Sequence, residues 1–184
     1  NMAKARYEVQ QAQETAKTVI EDVEKEWKKR FGRYYDGMIE EYQCKDAEAV
    51  LMTMGSITGT ARDVVDEMRD DGSKIGLIKL RSFRPFPRQE LRKIAKKYKA
   101  IGVVDMNTSF GSAGGGIVAT DLARALYDLD ERPVIADFHV GLGGTDVTMN
   151  QIEYMAKETL KAAKAGKQKE AVDWVELRDL GPVM

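Results

Sequence analysis

The sequence predicts an α/β protein: a three-layer α/β/α sandwich on a mostly parallel sheet, preceded by a long N-terminal helix. Three observations carry this. Four stretches, "AEAVLMTMG", "SKIGLIKLRSF", "KAIGVVDMN" and "RPVIADFHVG", are continuous apolar runs without strict alternation, the pattern of strands covered on both faces. Apolar residues at helical spacing follow each run, and such repeated alternation needs crossovers that return every strand to the same direction. Upstream of the first run there is a single narrow helical stripe. The expected boundaries are 1–45 for the helix and connector, 46–166 for the α/β domain and 167–184 for a C-terminal tail.

The elements follow in order. Ala5, Val9, Ala12, Ala16, Val19, Val23 and Trp27 recur at steps of three and four, and so small and narrow a stripe suits close packing on one partner surface. "RFGRYYDGMIEEYQ" reads as a connector rich in glycine and aromatics. The helix after the first strand run presents Ile57, Ala61, Val64, Val65 and Met68 on one face. The next presents Leu91, Ile94, Ala95 and Tyr98, with Pro87 favoured at its first turn. The third carries Val118, Leu122, Ala125, Leu126 and Leu129, and the fourth Ile152, Met155, Ala156, Thr159, Leu160 and Ala163. Thr148 and Gln151 stand at capping-box spacing ahead of the last. The tail turns apolar around Trp174, Val175 and Leu177, as a docking segment does.

Composition narrows the function. The chain has 184 residues, 43% hydrophobic and 32% charged, enough for one domain with an appendage. Its 29 basic and 30 acidic residues leave a net charge of -1, so no global field draws it to nucleic acid or to an anionic membrane. One cysteine, Cys44, and one histidine, His139, exclude a disulfide framework, a cysteine-rich zinc site and an iron–sulfur cluster held by this chain alone. No apolar run reaches the length of a membrane span, and a soluble protein of a reducing, cytoplasmic compartment is expected. The Asn-Met start is expected of a piece cut from a longer gene product.

In open α/β sheets ligands gather at the carboxyl ends of the strands, so the candidate residues are those just after each run. They are Gly55, Ser56 and Thr58, then Arg84 to Pro87, Asn107 to Gly116, and Gly141 to Asp146. "GSAGGG", with Ser109 before it and Gly114, Gly115 and Gly116 at its end, has two readings. It is an anion cradle at a helix start, or a place where missing Cβ atoms let the helix meet another part of the protein. Its glycines fall at the first, fourth, fifth and sixth positions, not the first, third and sixth of a dinucleotide fingerprint, and no P-loop lysine follows. Close packing is therefore the favoured reading, with Ser56, Thr58, Arg84, Ser109, Gly114, Gly115 and Gly116 as the minority anion-site candidates. Ser56 or Thr58 is expected to cap the first domain helix, and Arg84 to form an ion pair or grip a carboxylate or phosphate. His139 lies in an apolar strand and reads as a core or interface histidine. Cys44 reads as an inert thiol, its pKa slightly depressed by Lys45. No catalytic triad, carboxylate pair or metal spacing stands out.

Taken together, "VLMTMGSITGTARDVVDEMRDDGSKIGLIKLRSFRPFP", "IGVVDMNTSFGSAGGG" and "GLGGTDVT" resemble the second domain of 2-oxoacid:ferredoxin oxidoreductases, most closely pyruvate:ferredoxin oxidoreductase (pyruvate synthase), where it forms the C-terminal part of the alpha chain. The resemblance covers roughly residues 32–178. It implies a transketolase C-terminal-like fold, usually with one strand running against the rest, and makes the N-terminal helix and connector a link from a preceding thiamine-binding domain. The parent enzyme would convert pyruvate, CoA and oxidised ferredoxin to acetyl-CoA, CO2 and reduced ferredoxin or flavodoxin. It would use thiamine diphosphate and [4Fe-4S] clusters held by other domains. The resemblance carries no catalytic, cofactor or metal residue onto this chain, which alone is expected to be inactive and architectural. The alternative is a free-standing α/β binder of a phosphate- or CoA-containing ligand.

Overall fold

The structure, a computed structural model, describes residues 1–179. Its first element, α1 (Met2–Phe31), starts at Asn1, whose side chain accepts from the Ala3 amide, and stops at Gly32 in a left-handed turn with φ 70°. Then come β1 (Ile39–Tyr42), β2 (Ala49–Thr53), α2 (Ile57–Asp70), β3 (Ile75–Leu80), α3 (Arg88–Ala95), β4 (Ala100–Asp105), α4 (Ile117–Leu126), β5 (Val134–His139), α5 (Met149–Ala165) and β6 (Asp173–Trp174).

The six strands lie in the order β1-β3-β2-β4-β5-β6. All neighbours run parallel except β1, which pairs antiparallel with β3, Ile39 opposite Leu80. The sheet thus has the one reversed strand that the resemblance implies. It also reaches past residues 46–166 at both ends, because β1 lies in the stretch read as a connector and β6 in the tail.

Strand alternation sorts the apolar runs onto two faces. Ala49, Leu51, Ile75, Leu77, Ala100, Val104, Ala136 and Phe138 belong to the core cluster shared with α2 and α5. Val50, Met52, Ile78, Leu80, Ile101 and Val103 belong to the cluster shared with α3 and α4. Helices on both faces are the reason the strands read as unbroken apolar runs. The Thr148–Gln151 capping box forms at the start of α5.

The tail docks on its own domain. Gln168 uses its side-chain amide like a neighbouring strand, accepting from the Asp137 N–H at 3.0 Å and donating to the Asp137 carbonyl at 3.1 Å. β6 continues that edge beside Phe138 and His139, and Val175 is buried. Residues 180–184 of the expected tail lie outside the described residues.

α1 turns a different face to the body than its stripe suggests. Glu24 is its buried residue, while Val9, Val19, Val23 and Trp27 are exposed. Glu24 and Arg81 form the anchor, 2.6 Å apart. Glu24 also accepts from the Tyr35 N–H, and Arg81 donates to the carbonyls of Tyr35 and Gly37. A partly buried ion pair, not the apolar stripe, marks the side of α1 that faces inward.

Candidate functional site

β2 leads to β3 on one side and β4 lies on the other, so the sheet changes winding direction between β2 and β4, where α/β folds place their ligands. The carboxyl end of β4 delivers Asp105, and the glycine run above it leads into α4. A helix start leaves its first amides without intrahelical partners. Here side chains from the sheet and its loops fill them. The Asp105 carboxylate accepts from the N–H groups of Val118 at 3.2 Å and Ala119 at 3.0 Å. Asn107 Oδ1 accepts from the Ile117 N–H at 3.1 Å while its amide nitrogen donates to Asp105 at 2.9 Å. Asp137 Oδ2 accepts from the Gly116 N–H at 3.1 Å. The positive end of α4 thus holds the protein's own carboxylates where a phosphate would otherwise sit.

The glycines fit this arrangement. A Cβ on Gly116 would fall inside the Asp105 carboxylate, and one on Gly115 would lie 2.8 Å from Asp137 Oδ2 and 3.2 Å from His139 Nε2. A Cβ on Gly114 would collide with the Thr120 hydroxyl. Ser109 is exposed at the base of the loop, its N–H donating to the Gly115 carbonyl at 2.9 Å.

Asp137 and His139 lie on the same face of β5 as their spacing of two requires, with Oδ1 and Nε2 3.6 Å apart. Both are buried. Asp137 Oδ1 and the two ring nitrogens of His139 lack hydrogen-bond partners among the described residues. Burial pushes the Asp137 carboxyl up to about 6, with the Asp105 charge adding to the effect and the Gly116 N–H opposing it. Burial lowers the His139 pKa, and the Asp105 charge opposes that. Trp174 closes the cluster from the tail, its ring edge-on to the imidazole at 4.8 Å.

The other candidates do not join this cluster. Ser56 occupies the cap position of α2 without a side-chain cap bond, because its backbone already has helical angles, φ −68° and ψ −32°. Thr58 is buried and shares a 3.0 Å hydrogen bond with Thr53, so the expected hydroxyl cap is not formed by either residue. Arg84 pairs with Asp121 at 2.6 Å and stacks on Phe83 at 3.9 Å. Pro87 sits one position before α3, at its cap. Burial pushes the Cys44 thiol up, not down as its neighbour Lys45 suggested, and the thiol donates to the Tyr42 and Leu77 carbonyls. Asp105 and Asp137, absent from the sequence candidates, hold the centre instead. The acids at a strand end before a glycine run, and the two-residue spacing in "DFH", were the signals for them.

The donor set does not fit the cofactors of the resemblance. A diphosphate at the glycine run would meet two carboxylates already bonded to the amides it needs. No group of three or more His, Cys, Asp or Glu is placed to hold a metal among the described residues.

Fold and site together define an α/β domain with a transketolase-like sheet whose ligand end is filled from within. Two solved structures share that fold: a split gene transketolase, inactive beta4 tetramer (TM-score 0.51, 15% identity, 66% of this chain and 41% of that one), and a 2-oxoglutarate:ferredoxin oxidoreductase from Magnetococcus marinus with 2-oxoglutarate, coenzyme A and succinyl-CoA bound (TM-score 0.50, 18% identity, 66% and 19%). The family described as pyruvate:ferredoxin oxidoreductase core domain II matches residues 47–152, and the chain belongs to it. It is 43% identical over 173 residues to ketoisovalerate oxidoreductase subunit VorA of Pyrococcus horikoshii, covering 94% of this chain and 43% of that protein. It is 42% identical over 174 residues to pyruvate synthase subunit PorA of Pyrococcus furiosus, covering 95% and 43%. The chain therefore spans less than half the length of these relatives.

Proposed function

We propose that this chain is the structural and subunit-contact domain of a 2-oxoacid:ferredoxin oxidoreductase that converts pyruvate, CoA and oxidised ferredoxin to acetyl-CoA, CO2 and reduced ferredoxin. The observation that carries this is the occupied start of α4: Asp105, Asn107 and Asp137 take the amides that a ligand would use. The same end of the sheet also exposes apolar side chains. Met54, Met106, Phe110, Ile117 and Met149 are all 39% or more exposed, Phe110 reaching 90%. Exposed apolar side chains on strand-end loops are suited to burial against another protein surface. On this reading thiamine diphosphate and the [4Fe-4S] clusters are held by neighbouring polypeptide in the cytoplasm. Ferredoxin or flavodoxin draws electrons from the assembly, and this domain braces the catalytic parts through its loops and α1. A free-standing binder of a phosphate- or CoA-containing ligand is disfavoured, because its anion would have to displace two carboxylates.

The test is reconstitution of the parent oxidoreductase with and without this chain, reading 2-oxoacid-dependent ferredoxin reduction. The chain alone is expected to reduce no ferredoxin, and its omission to abolish activity. Full activity without it sinks the proposal. Because VorA and PorA are almost equally similar to the chain, 2-oxoisovalerate is assayed beside pyruvate.

A further inference from the structure

The end of α1 carries a surface whose partner chemistry the architectural reading leaves unspecified. Residues 27–35 read "WKKRFGRYY": four aromatics, four cations, one glycine and no acid, and all nine residues are exposed. Trp27 and Phe31 pack at a tilt with ring centres 4.4 Å apart, and Lys28 lies 5.1 Å over the Tyr34 ring. Arg30 pairs with Glu26, whereas Lys28, Lys29 and Arg33 have no acidic partner among the described residues. The knuckle is also held in place. Glu24 accepts from the Tyr35 N–H at 3.1 Å, Arg81 donates to the Tyr35 carbonyl at 2.6 Å and stacks over its ring, and Gly32 closes the helix end. Aromatic and arginine-rich patches dominate the energetics of protein interfaces, and a surface already fixed in shape loses less entropy on binding.

We propose that residues 27–35 form a docking surface for an acidic protein segment that brings carboxylates around one or more apolar side chains. Charge complementarity selects that occupant. Three cations without acidic partners share these nine residues with the aromatic pair, and a matching basic surface would be repelled. A nucleic-acid strand is the poorer fit, because the cations form one short knuckle on a chain of net charge -1 instead of a track along a backbone. The inference rests on the reading that α1 meets another protein. It stands apart from that reading in specifying the partner's charge.

The test follows the Trp27 indole N–H resonance of this chain during titration with a short peptide in which glutamates alternate with leucine and phenylalanine. The lysine counterpart of that peptide and a single-stranded oligonucleotide are run beside it. Saturable binding of the acidic peptide is expected, weakened about tenfold or more when NaCl rises from about 0.05 M to about 0.5 M. K28E/K29E/R33E is expected to abolish it, while K93E/K96E, two charge reversals at the end of α3, leaves it intact. No saturable shift, equal binding of the lysine peptide, tighter binding of the oligonucleotide, or a concentration-dependent shift of the chain alone that marks self-association overturns the proposal. These results leave the reconstitution assay untouched, so the two readings fail separately.

Discussion

Asp105 occupies the space that Gly116 leaves empty. The carboxylate stands where a Cβ of residue 116 would be and accepts from the amides of Val118 and Ala119, the second and third residues of α4. The glycine and the acid are one device: the first removes volume so that the second can reach the positive end of the helix.

G116A is therefore expected to destabilise the domain by about 1–3 kcal/mol through overpacking against Asp105. The same substitution at exposed Gly59, which has open space around it, is expected to be neutral or mildly stabilising, since alanine is the better helix former. Urea unfolding of the two variants beside the parent chain reads the difference.

Removing the acid should expose the helix start. D105A is expected to lose about 1–3 kcal/mol by leaving buried amides without an acceptor, and to gain a phosphate-dependent rise in melting temperature that the parent chain lacks. Thermal melts across a phosphate series check both halves.

The Asp137 carboxyl, raised to about 6 by burial, should shape stability against pH. A folded pKa above the unfolded value of about 3.9 means that the folded state holds more protons between pH ~4 and ~6. Its contribution is then full below that window and falls as pH rises through it. Asp173, also raised to about 6 by burial, acts in the same direction. His139 acts oppositely, because its lowered pKa takes stability away as pH falls below about 6.5. D137N is expected to remove the part of the slope between pH ~4 and ~6 that Asp137 supplies, worth up to about 3 kcal/mol. Denaturant midpoints at several pH values measure it, and an unchanged slope in the variant contradicts the assignment.

Breaking the anchor of α1 should act locally. E24A leaves Arg81 without its carboxylate partner and is expected to cost about 1–3 kcal/mol, less than a fully buried pair because Arg81 is a quarter exposed. It should also speed trypsin cleavage at Lys28, Lys29, Arg30 and Arg33 several-fold, since the Tyr35 amide and the helix end lose their hold. Timed proteolysis resolves the sites.

The α/β body was legible because both of its sheet faces are covered, which leaves unbroken apolar runs such as "AVLMT" and "IGLIKL". β1 was not, since "IEEY" is a short edge strand with two acids, one of them exposed, and its apolar period is too brief to separate from a connector. The inward face of α1 was missed because its anchor is Glu24, a residue that periodicity assigns to solvent. At the site, Ser56 failed as a cap because backbone angles, which composition does not encode, already placed it in the helix. The central pair Asp105 and Asp137 escaped notice for a related reason. A carboxylate that fills a helix start from a neighbouring strand is a contact between residues 105 and 118 or 116 and 137, and only the folded register brings them together.

The most direct measurement is the backbone amide spectrum of the parent chain during titration with inorganic phosphate and then coenzyme A. An α4 start already filled by Asp105, Asn107 and Asp137 leaves the amides of Gly116 to Ala119 unmoved at millimolar ligand. Saturable shifts confined to those amides would show that an outside anion takes their place and would contradict the account.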